Sequence, residues 1–130
     1  MSITTDTSAI IAVIANEPDK SKLIEATKGA DLIAPLSVHW EIGNAFSAMF
    51  KHKKATLNQA LAAINAYQQI PIRLVEVDLT EALTLSHTFN IYAYDAYLIA
   101  CALKYHAPLL SLDRRLLTVA ETAGVKIIRF

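Results

Sequence analysis

The sequence predicts an α/β fold, a three-layer α/β/α sandwich around a central parallel sheet, in a single domain over residues 1–130. Short apolar stretches of strand length alternate along the chain with longer segments of helical periodicity, which is the pattern of βαβ units. The chain is 54% hydrophobic and only 18% charged, as expected for strands that helices bury on both faces. A length of 130 residues fits one hydrophobic core.

Local patterns indicate where the strands and helices begin and end. Five segments have the length and composition of strands: residues 3–5, 32–34, 72–77, 109–112 and 126–128. Capping boxes, a proline suited to a first turn and glycines suited to helix ends delimit the helices: Thr56 with Gln59, Asp78 with Glu81, Pro18, Gly29 and Gly124. Helical crossovers make neighbouring strands parallel, so their carboxyl ends meet at one edge of the sheet, where ligands bind in such folds.

Composition also limits the class of protein. The apolar run over residues 9–15 is far shorter than the roughly 20 residues that cross a bilayer. The amino-terminal residues carry no basic region ahead of an apolar stretch, and the single cysteine, Cys101, cannot form an internal disulfide. We therefore expect a cytoplasmic protein with Cys101 in its core. The histidines and Cys101 show neither metal-ligand spacing nor a catalytic pairing, so no zinc site or thiol mechanism is indicated.

Overall charge gives no sign of nucleic-acid binding. The chain carries 12 basic and 12 acidic side chains, and its net charge is zero with histidine neutral. Any contact with RNA would therefore be local. Two short basic runs, residues 51–54 and Arg114 with Arg115, are either ordinary solvated faces or sites of phosphate contact.

Two acidic residues directly follow predicted strands. Asp6 comes after the first strand and Asp113 after the fourth, so both carboxylates are expected at the carboxyl edge of the sheet. Aspartate is also a favoured helix N-cap residue, which gives each of the two a simpler interpretation when it is taken alone.

Two further acids interrupt the apolar faces of predicted helices. Asp95 falls within the apolar stripe of a helix over residues 94–106, a stripe formed by Tyr94, Leu98, Ile99, Ala102 and Tyr105. An inward-facing carboxylate needs a cation, hydrogen-bond donors or a raised pKa, and a helix cap or a salt bridge is the simpler alternative. Glu41 lies at the edge of the stripe of the helix that follows Ser37, where it is either a site residue or a solvated flank. A helix cap, a salt bridge or a solvated flank can explain each acid separately. These explanations do not account for the fact that all four acids can converge on one edge of the sheet.

The order and spacing of the acids resemble the motifs of a known family. The chain resembles PIN-domain ribonucleases, and VapC-type toxins in particular, in four segments: Asp6-Thr7-Ser8-Ala9, Glu41 with Asn44, Tyr94-Asp95-Ala96-Tyr97-Leu98-Ile99-Ala100, and Leu110-Ser111-Leu112-Asp113. The resemblance covers essentially the whole chain in motif order, spacing and length. It is therefore far more specific than any single short motif.

This resemblance implies a PIN-like fold and a cytoplasmic endoribonuclease that depends on Mg²⁺ or Mn²⁺. It implies the toxin of a VapBC-type toxin-antitoxin system, acting as a homodimer, with a VapB-type antitoxin that blocks the site. It assigns metal binding and catalysis to four acids: Asp6, Glu41, Asp95 and Asp113. It assigns supporting positions to three smaller polar residues: Ser8, Asn44 and Ser111. The resemblance leaves open whether one or two metal ions bind. It also leaves open whether the substrate is transfer RNA or ribosomal RNA.

Two other classes of protein are alternatives at this point. A PIN-like module that binds a protein without catalysis would share the fold, although the complete set of four acids argues against it. A phospho-acceptor receiver domain is also a small parallel α/β fold, but it would need an acidic pair after the first strand and a lysine after a later one. Trp40 and Phe50 lie on the far side of their helix and suggest an apolar surface for a dimer or antitoxin contact.

Overall fold

A computed structural model describes residues 1–130 and contains one sheet of four parallel strands. The strands are β1 (Ser2–Thr5), β2 (Asp31–Pro35), β3 (Ile72–Val75) and β4 (Leu109–Leu110), in the spatial order β3-β2-β1-β4. Seven helices connect and cover them: α1 (Thr7–Ile14), α2 (Lys20–Thr27), α3 (Ser37–Lys51), α4 (Leu57–Gln68), α5 (Leu79–Phe89), α6 (Ala93–Tyr105) and α7 (Arg114–Thr122). The predicted α/β/α arrangement with a parallel sheet is confirmed.

Side chains alternate along the strands and so contact two helical layers. Ile3 of β1 and Leu110 of β4 pack with α1 and with Leu23 of α2. Ile33 of β2 faces the other side of the sheet and packs with Cys101 of α6. The largest cluster of buried residues continues the core between α1, α3, α4, α6 and α7. Because helices cover both faces, successive residues of β1, β2 and β4 are buried, and in β1 these include Thr4 and Thr5.

Two strands are shorter than predicted, and the fifth is absent from the sheet. β3 ends at Val75 and β4 at Leu110, because the residues that follow turn toward the starts of α5 and α7. Residues 126–128, predicted as a strand, form only a single bridge between Ile127 and Leu109. The reason is the length of the partner strand: β4 has two residues, which offer little backbone for a fifth strand to pair with.

One of the two predicted capping boxes forms, and the other is partial. Thr56 accepts a hydrogen bond from the backbone of Gln59, whose side chain accepts one from the Thr56 backbone, so α4 begins with the expected box. Asp78 caps α5 by accepting from Thr80 N, one residue earlier than a capping box requires. An N-terminal cap of either kind satisfies a backbone donor that the helix itself leaves free.

The other predicted boundary residues lie close to helix ends. Pro18 occupies the turn before α2, which begins at Lys20 rather than at the proline. Gly29 and Gly124 follow α2 and α7 with φ angles of 77° and 97°, a left-handed conformation that glycine adopts without strain. The glycines therefore terminate their helices as predicted.

Helix α6 is deeply buried from Ala96 to Ala102, apart from Tyr97, but its first three residues are not. Tyr94, predicted to lie on the buried stripe, is 52% exposed, because it precedes the point where α6 enters the core. Cys101 is fully buried, as predicted, and burial raises the pKa of its thiol to about 11. The thiol is therefore a neutral packing group. None of the helices has the length and apolar character needed to span a membrane.

Candidate active site

The structure brings the four predicted acids to the carboxyl edge of the sheet. Asp6 directly follows β1, Asp113 follows β4, Glu41 lies in the second turn of α3 after β2, and Asp95 lies in the first turn of α6. β1 pairs with β2 on one side and with β4 on the other, so three of the acids come from three adjacent strands. The acids are close enough to raise one another's pKa. Asp113 raises the pKa of Asp6 and of Asp95, and Asp6 and Asp95 both raise the pKa of Glu41.

Asp6 is the buried anchor of this group, with an exposed fraction of only 4%. Its Oδ1 accepts a hydrogen bond from Ala9 N at 2.9 Å, which caps α1, and Ser8 Oγ donates to the same carboxylate at 2.8 Å. Ser111 Oγ donates to Oδ2 from the segment after β4. Burial raises the pKa of Asp6 and outweighs the hydrogen bonds from Ser111, Ala9 and Ser8, which lower it, while Asp113 adds a smaller increase.

The two serines join the segments that follow β1 and β4. Ser8 Oγ accepts a hydrogen bond from Leu112 N at 3.0 Å, and Ser111 Oγ accepts one from Asp113 N at 2.9 Å. Each hydroxyl therefore donates to Asp6 and accepts from the backbone just before α7. Ser8 and Ser111 thus lie beside the first and fourth acids, where the resemblance implied. Asn44 is exposed on α3 and takes no part in this network.

Asp113 is exposed and caps α7. Its Oδ1 accepts hydrogen bonds from Arg115 N at 3.0 Å and from Leu116 N at 3.2 Å. The helix-cap interpretation is therefore correct for Asp113, as it is for Asp6. Capping does not exclude a second role, because Oδ2 of Asp113 makes no hydrogen bond within the protein and is open toward solvent.

Glu41 is half-buried, so its interpretation as a solvated flank is wrong. Burial, and then the neighbouring charges of Asp6 and Asp95, raise the pKa of Glu41 to about 7. The Ser37 hydroxyl lies beside this carboxylate and lowers its pKa slightly, but neither Ser37 Oγ nor Glu41 Oε2 has a hydrogen bond of acceptable geometry. A half-buried carboxylate without a donor is stable only with a proton or a nearby cation.

Asp95 is also half-buried, and its side chain has no hydrogen-bond donor within the protein. Burial raises its pKa, Asp113 raises it further, and the guanidinium of Arg115 lowers it. The expectation that Asp95 faces inward is therefore correct only in part. It faces the other acids at the edge of the core and not the apolar interior, because it belongs to the exposed first turn of α6.

Three buried side-chain oxygens lack a hydrogen-bond partner, and all three lie at this edge: Thr7 Oγ1, Ser37 Oγ and Glu41 Oε2. An unsatisfied buried polar group costs about 1–3 kcal/mol, so three together indicate a place for water or a cation. Carboxylate and hydroxyl oxygens are the donors that Mg²⁺ and Mn²⁺ prefer. No three acidic side chains are close enough to surround an ion by themselves. A hard cation held by these oxygens would therefore have to keep several of its water ligands.

Two residues at this edge were missed as site residues in the sequence. Ser37 lies four positions before Glu41 on the same helix face, a spacing that could have drawn attention to it. Arg115 was noted only as part of a short basic run, yet it lies near enough to Asp95 to lower its pKa, and it forms no ion pair. Nothing in its sequence position distinguishes Arg115 from Arg114.

The raised pKa of Glu41 predicts how the metal-free protein responds to pH. A carboxyl with an ordinary pKa of 4.5 and a folded-state pKa of about 7 holds its proton more tightly in the folded protein. The resulting stability is fully present below the unfolded-state pKa and is lost as the pH rises through about 7. In EDTA we expect a lower free energy of unfolding at about pH 8 than at about pH 5, measured by urea denaturation.

Glu41→Gln should reduce this pH difference, because the amide does not titrate. Glu25→Gln is the matched control, since Glu25 is an exposed glutamate on α2. Asp6 and Asp95 shift in the same direction as Glu41, so part of the difference should remain in Glu41→Gln. An unchanged pH difference in Glu41→Gln would contradict the placement of this carboxylate.

Comparisons with known proteins identify the family and the fold. The family model described as PIN domain matches residues 3–122. Among solved structures, PAE2754 from Pyrobaculum aerophilum superposes with a TM-score of 0.70 at 21% sequence identity, over 98% of this chain and 92% of that one. A comparison with curated protein sequences gives no significant match.

Two further solved structures share the fold. VapC20 from Mycobacterium tuberculosis, described as a sarcin-ricin loop cleaving toxin, has a TM-score of 0.66 at 17% identity, over 98% of this chain and 99% of that one. VapBC2 from Rickettsia felis, crystallised bound to a DNA fragment from its promoter, has a TM-score of 0.68 at 12% identity, over 98% of this chain and 97% of that one. The family match extends from β1 to α7 and includes all four acids. This chain therefore belongs to the PIN-domain family.

Proposed function

We propose that this protein is a Mg²⁺- or Mn²⁺-dependent endoribonuclease and the toxin of a VapBC-type toxin-antitoxin system. The observation that carries the proposal is a group of four mutually repelling carboxylates beside three buried oxygens that lack partners. Such a group is costly unless a cation binds it. Membership of the PIN-domain family, and likeness in fold to a sarcin-ricin loop cleaving toxin, support RNA as the substrate.

In this proposal the protein fixes the site before the cation binds. Ser8 and Ser111 hold the carboxylate of Asp6, and Asp113 offers Oδ2 because the cap of α7 uses only Oδ1. Glu41 and Asp95 complete the set of ligands, directly or through water. When bound, Mg²⁺ or Mn²⁺ lowers the pKa of a water molecule and neutralises charge that develops on the phosphate.

We also propose a homodimer, a VapB-type antitoxin partner and action in the cytoplasm. Likeness in fold to VapBC2 of Rickettsia felis supports the antitoxin. Two aromatic side chains support a protein contact, because Trp40 is 70% exposed and Phe50 is 40% exposed, both on α3. Large aromatic residues that stay exposed are enriched in interfaces.

The first prediction from this proposal is metal-dependent cleavage. Structured transfer and ribosomal RNA fragments should be cut in Mg²⁺ or Mn²⁺, EDTA should stop cleavage, and excess Mn²⁺ should restore it, as followed on denaturing gels. Asp6→Asn should be inactive, whereas Asp31→Asn should keep wild-type activity, because Asp31 is exposed at the amino end of β2. Undiminished cleavage in EDTA would reject the metal mechanism. No cleavage of any RNA would favour the non-catalytic protein-binding alternative.

The second prediction concerns Asp95→Asn. The amide keeps the shape of the side chain but removes a charge that burial and Asp113 destabilise, so the metal-free variant should melt a few degrees higher than the wild type. The same change should abolish cleavage, and added Mn²⁺ should raise the melting temperature less than in the wild type, since linkage depends on affinity. A variant that melts lower without metal and still cuts RNA at the wild-type rate would make Asp95 a structural residue.

The third prediction concerns assembly. Light scattering at micromolar concentration should give about twice the monomer mass for the wild type. Trp40→Ser should shift the protein toward the monomer, because it removes the exposed indole ring of α3. Tyr94→Ser is the matched control, since Tyr94 is a half-exposed aromatic residue on a different helix. A monomeric wild type would reject the proposed dimer.

A further inference from the structure

A cleft of about 390 Å³ opens beside the candidate active site. Asp95 and Asp113 form one wall of it, and Leu116 and Val119 of α7 form an apolar part of its lining. Asn90, Ile91, Tyr92 and Arg115 also line the cleft, and both Tyr92 and Arg115 are exposed. Sites for small ligands commonly have volumes of about 300–1,000 Å³, so the cleft has room for one nucleotide.

Tyr92 offers an open aromatic face in this cleft. It is 86% exposed, the most exposed large hydrophobic side chain in the protein. Its backbone is fixed nonetheless, because Tyr92 is the N-cap residue of α6 and its carbonyl accepts a hydrogen bond from Ala96 N at 3.2 Å. A ring held on a rigid backbone and free on its faces is a suitable platform for stacking.

Arg115 places a positive charge in the same cleft, near Asp95 but without an ion pair. It is exposed, its side chain forms no ion pair, and the chain's one salt bridge joins Arg129 to Glu121 at the far end of α7. Its backbone is held by Asp113 Oδ1, so the side chain leaves the helix from a defined position. A free guanidinium is the side chain best suited to bind a phosphate with two parallel hydrogen bonds.

We propose that this cleft binds the nucleotide adjacent to the scissile phosphate, with its base stacked on Tyr92 and its phosphate held by Arg115. The inference rests on the proposed RNA cleavage, because Asp95 and Asp113, which line the cleft, are two of the four acids assigned to metal binding and catalysis. An aromatic face next to a cation is the combination that single-stranded nucleic acids use, and it tolerates any base. Arg115 also offsets the repulsion that Asp95 and Asp113 would exert on an approaching RNA strand.

The test measures binding of RNA and its cleavage separately. Fluorescence anisotropy of a fluorescein-labelled oligoadenylate of about 12 nucleotides, in EDTA, should show about fivefold to hundredfold weaker binding by Tyr92→Ala. Tyr92→Phe should bind like the wild type, since it keeps the ring. Arg115→Gln should bind more weakly and should lower the slope of log affinity against log salt by about 0.7, the value for one lost contact with a single strand.

Matched controls isolate the cleft from general effects of aromatic or basic residues. Tyr94→Ala removes a neighbouring exposed tyrosine that does not line the cleft, and Arg73→Gln removes an exposed arginine on β3. Both controls should change affinity by less than about twofold, within the usual effect of a surface substitution. In Mn²⁺, Tyr92→Ala should raise KM and leave kcat nearly unchanged, because stacking is present in both the ground state and the transition state.

The outcomes separate this inference from the proposed function. If the wild type cleaves RNA and Tyr92→Ala behaves like Tyr94→Ala in both assays, the cleft assignment is wrong and the nuclease stands. If the wild type does not cleave RNA but Tyr92→Ala and Arg115→Gln lose binding, the cleft binds single-stranded RNA, but neither the nuclease nor a place beside a scissile phosphate stands. Unchanged RNA affinity together with an altered oligomeric state in Tyr92→Ala would make the cleft a protein contact and overturn the inference.

Discussion

The Asp6 carboxyl group is buried, and the carboxyl edge of the sheet is arranged around its need for hydrogen-bond donors. Three donors from two segments of chain contact it: Ser8, Ala9 and Ser111. They offset part of the cost of burial, which otherwise amounts to several kcal/mol for an ion. The same bonds cap α1 and tie the end of β1 to the end of β4. The hydrogen bonds that cap the helix and join the two strand ends are therefore the same ones that assemble the site.

The other three acids accept fewer hydrogen bonds from the protein than Asp6 does. One carboxylate oxygen of Asp113 caps α7, whereas Glu41 and Asp95 have no hydrogen-bond donor in the protein. Their raised pKa values reflect burial and mutual repulsion, which a proton or a cation relieves. Sites that must bind a ligand commonly store such unfavourable interactions and offset them with stability elsewhere.

The proposed RNA substrate would meet a protein with no net charge, so any attraction between the two has to be local. Four acids at one edge would repel a phosphate backbone, while the chain as a whole neither attracts nor repels it. Arg115 stands beside two of those acids without forming an ion pair. In the proposed complex this guanidinium would attract a phosphate at the rim of the acidic site. It would do so without the large basic surface that non-specific binding to nucleic acid requires.

The sequence by itself determined the fold class, the order of the strands along the chain, the helix stops at Gly29 and Gly124, and the four acids. These follow from local rules: apolar periodicity, capping chemistry, and the fact that parallel strands end at one edge. It overestimated the sheet, because the pairing of residues 126–128 depends on the two-residue length of β4, which no local pattern encodes. It also placed Tyr94 inside, because helical periodicity cannot tell where along its length a helix enters the core.

Only the tertiary structure decided how the site is built. That Ser111 contacts Asp6 across 105 positions, that Glu41 has no donor, and that Arg115 rather than Arg114 lies beside Asp95 all depend on distances between distant segments. Hydrogen bonds and charge interactions fall off over a few ångströms, whereas sequence patterns specify only the face of an element on which a residue lies. The identity of the acids could therefore be inferred from the chain, but their burial, their partners and the cleft beside them required the folded protein.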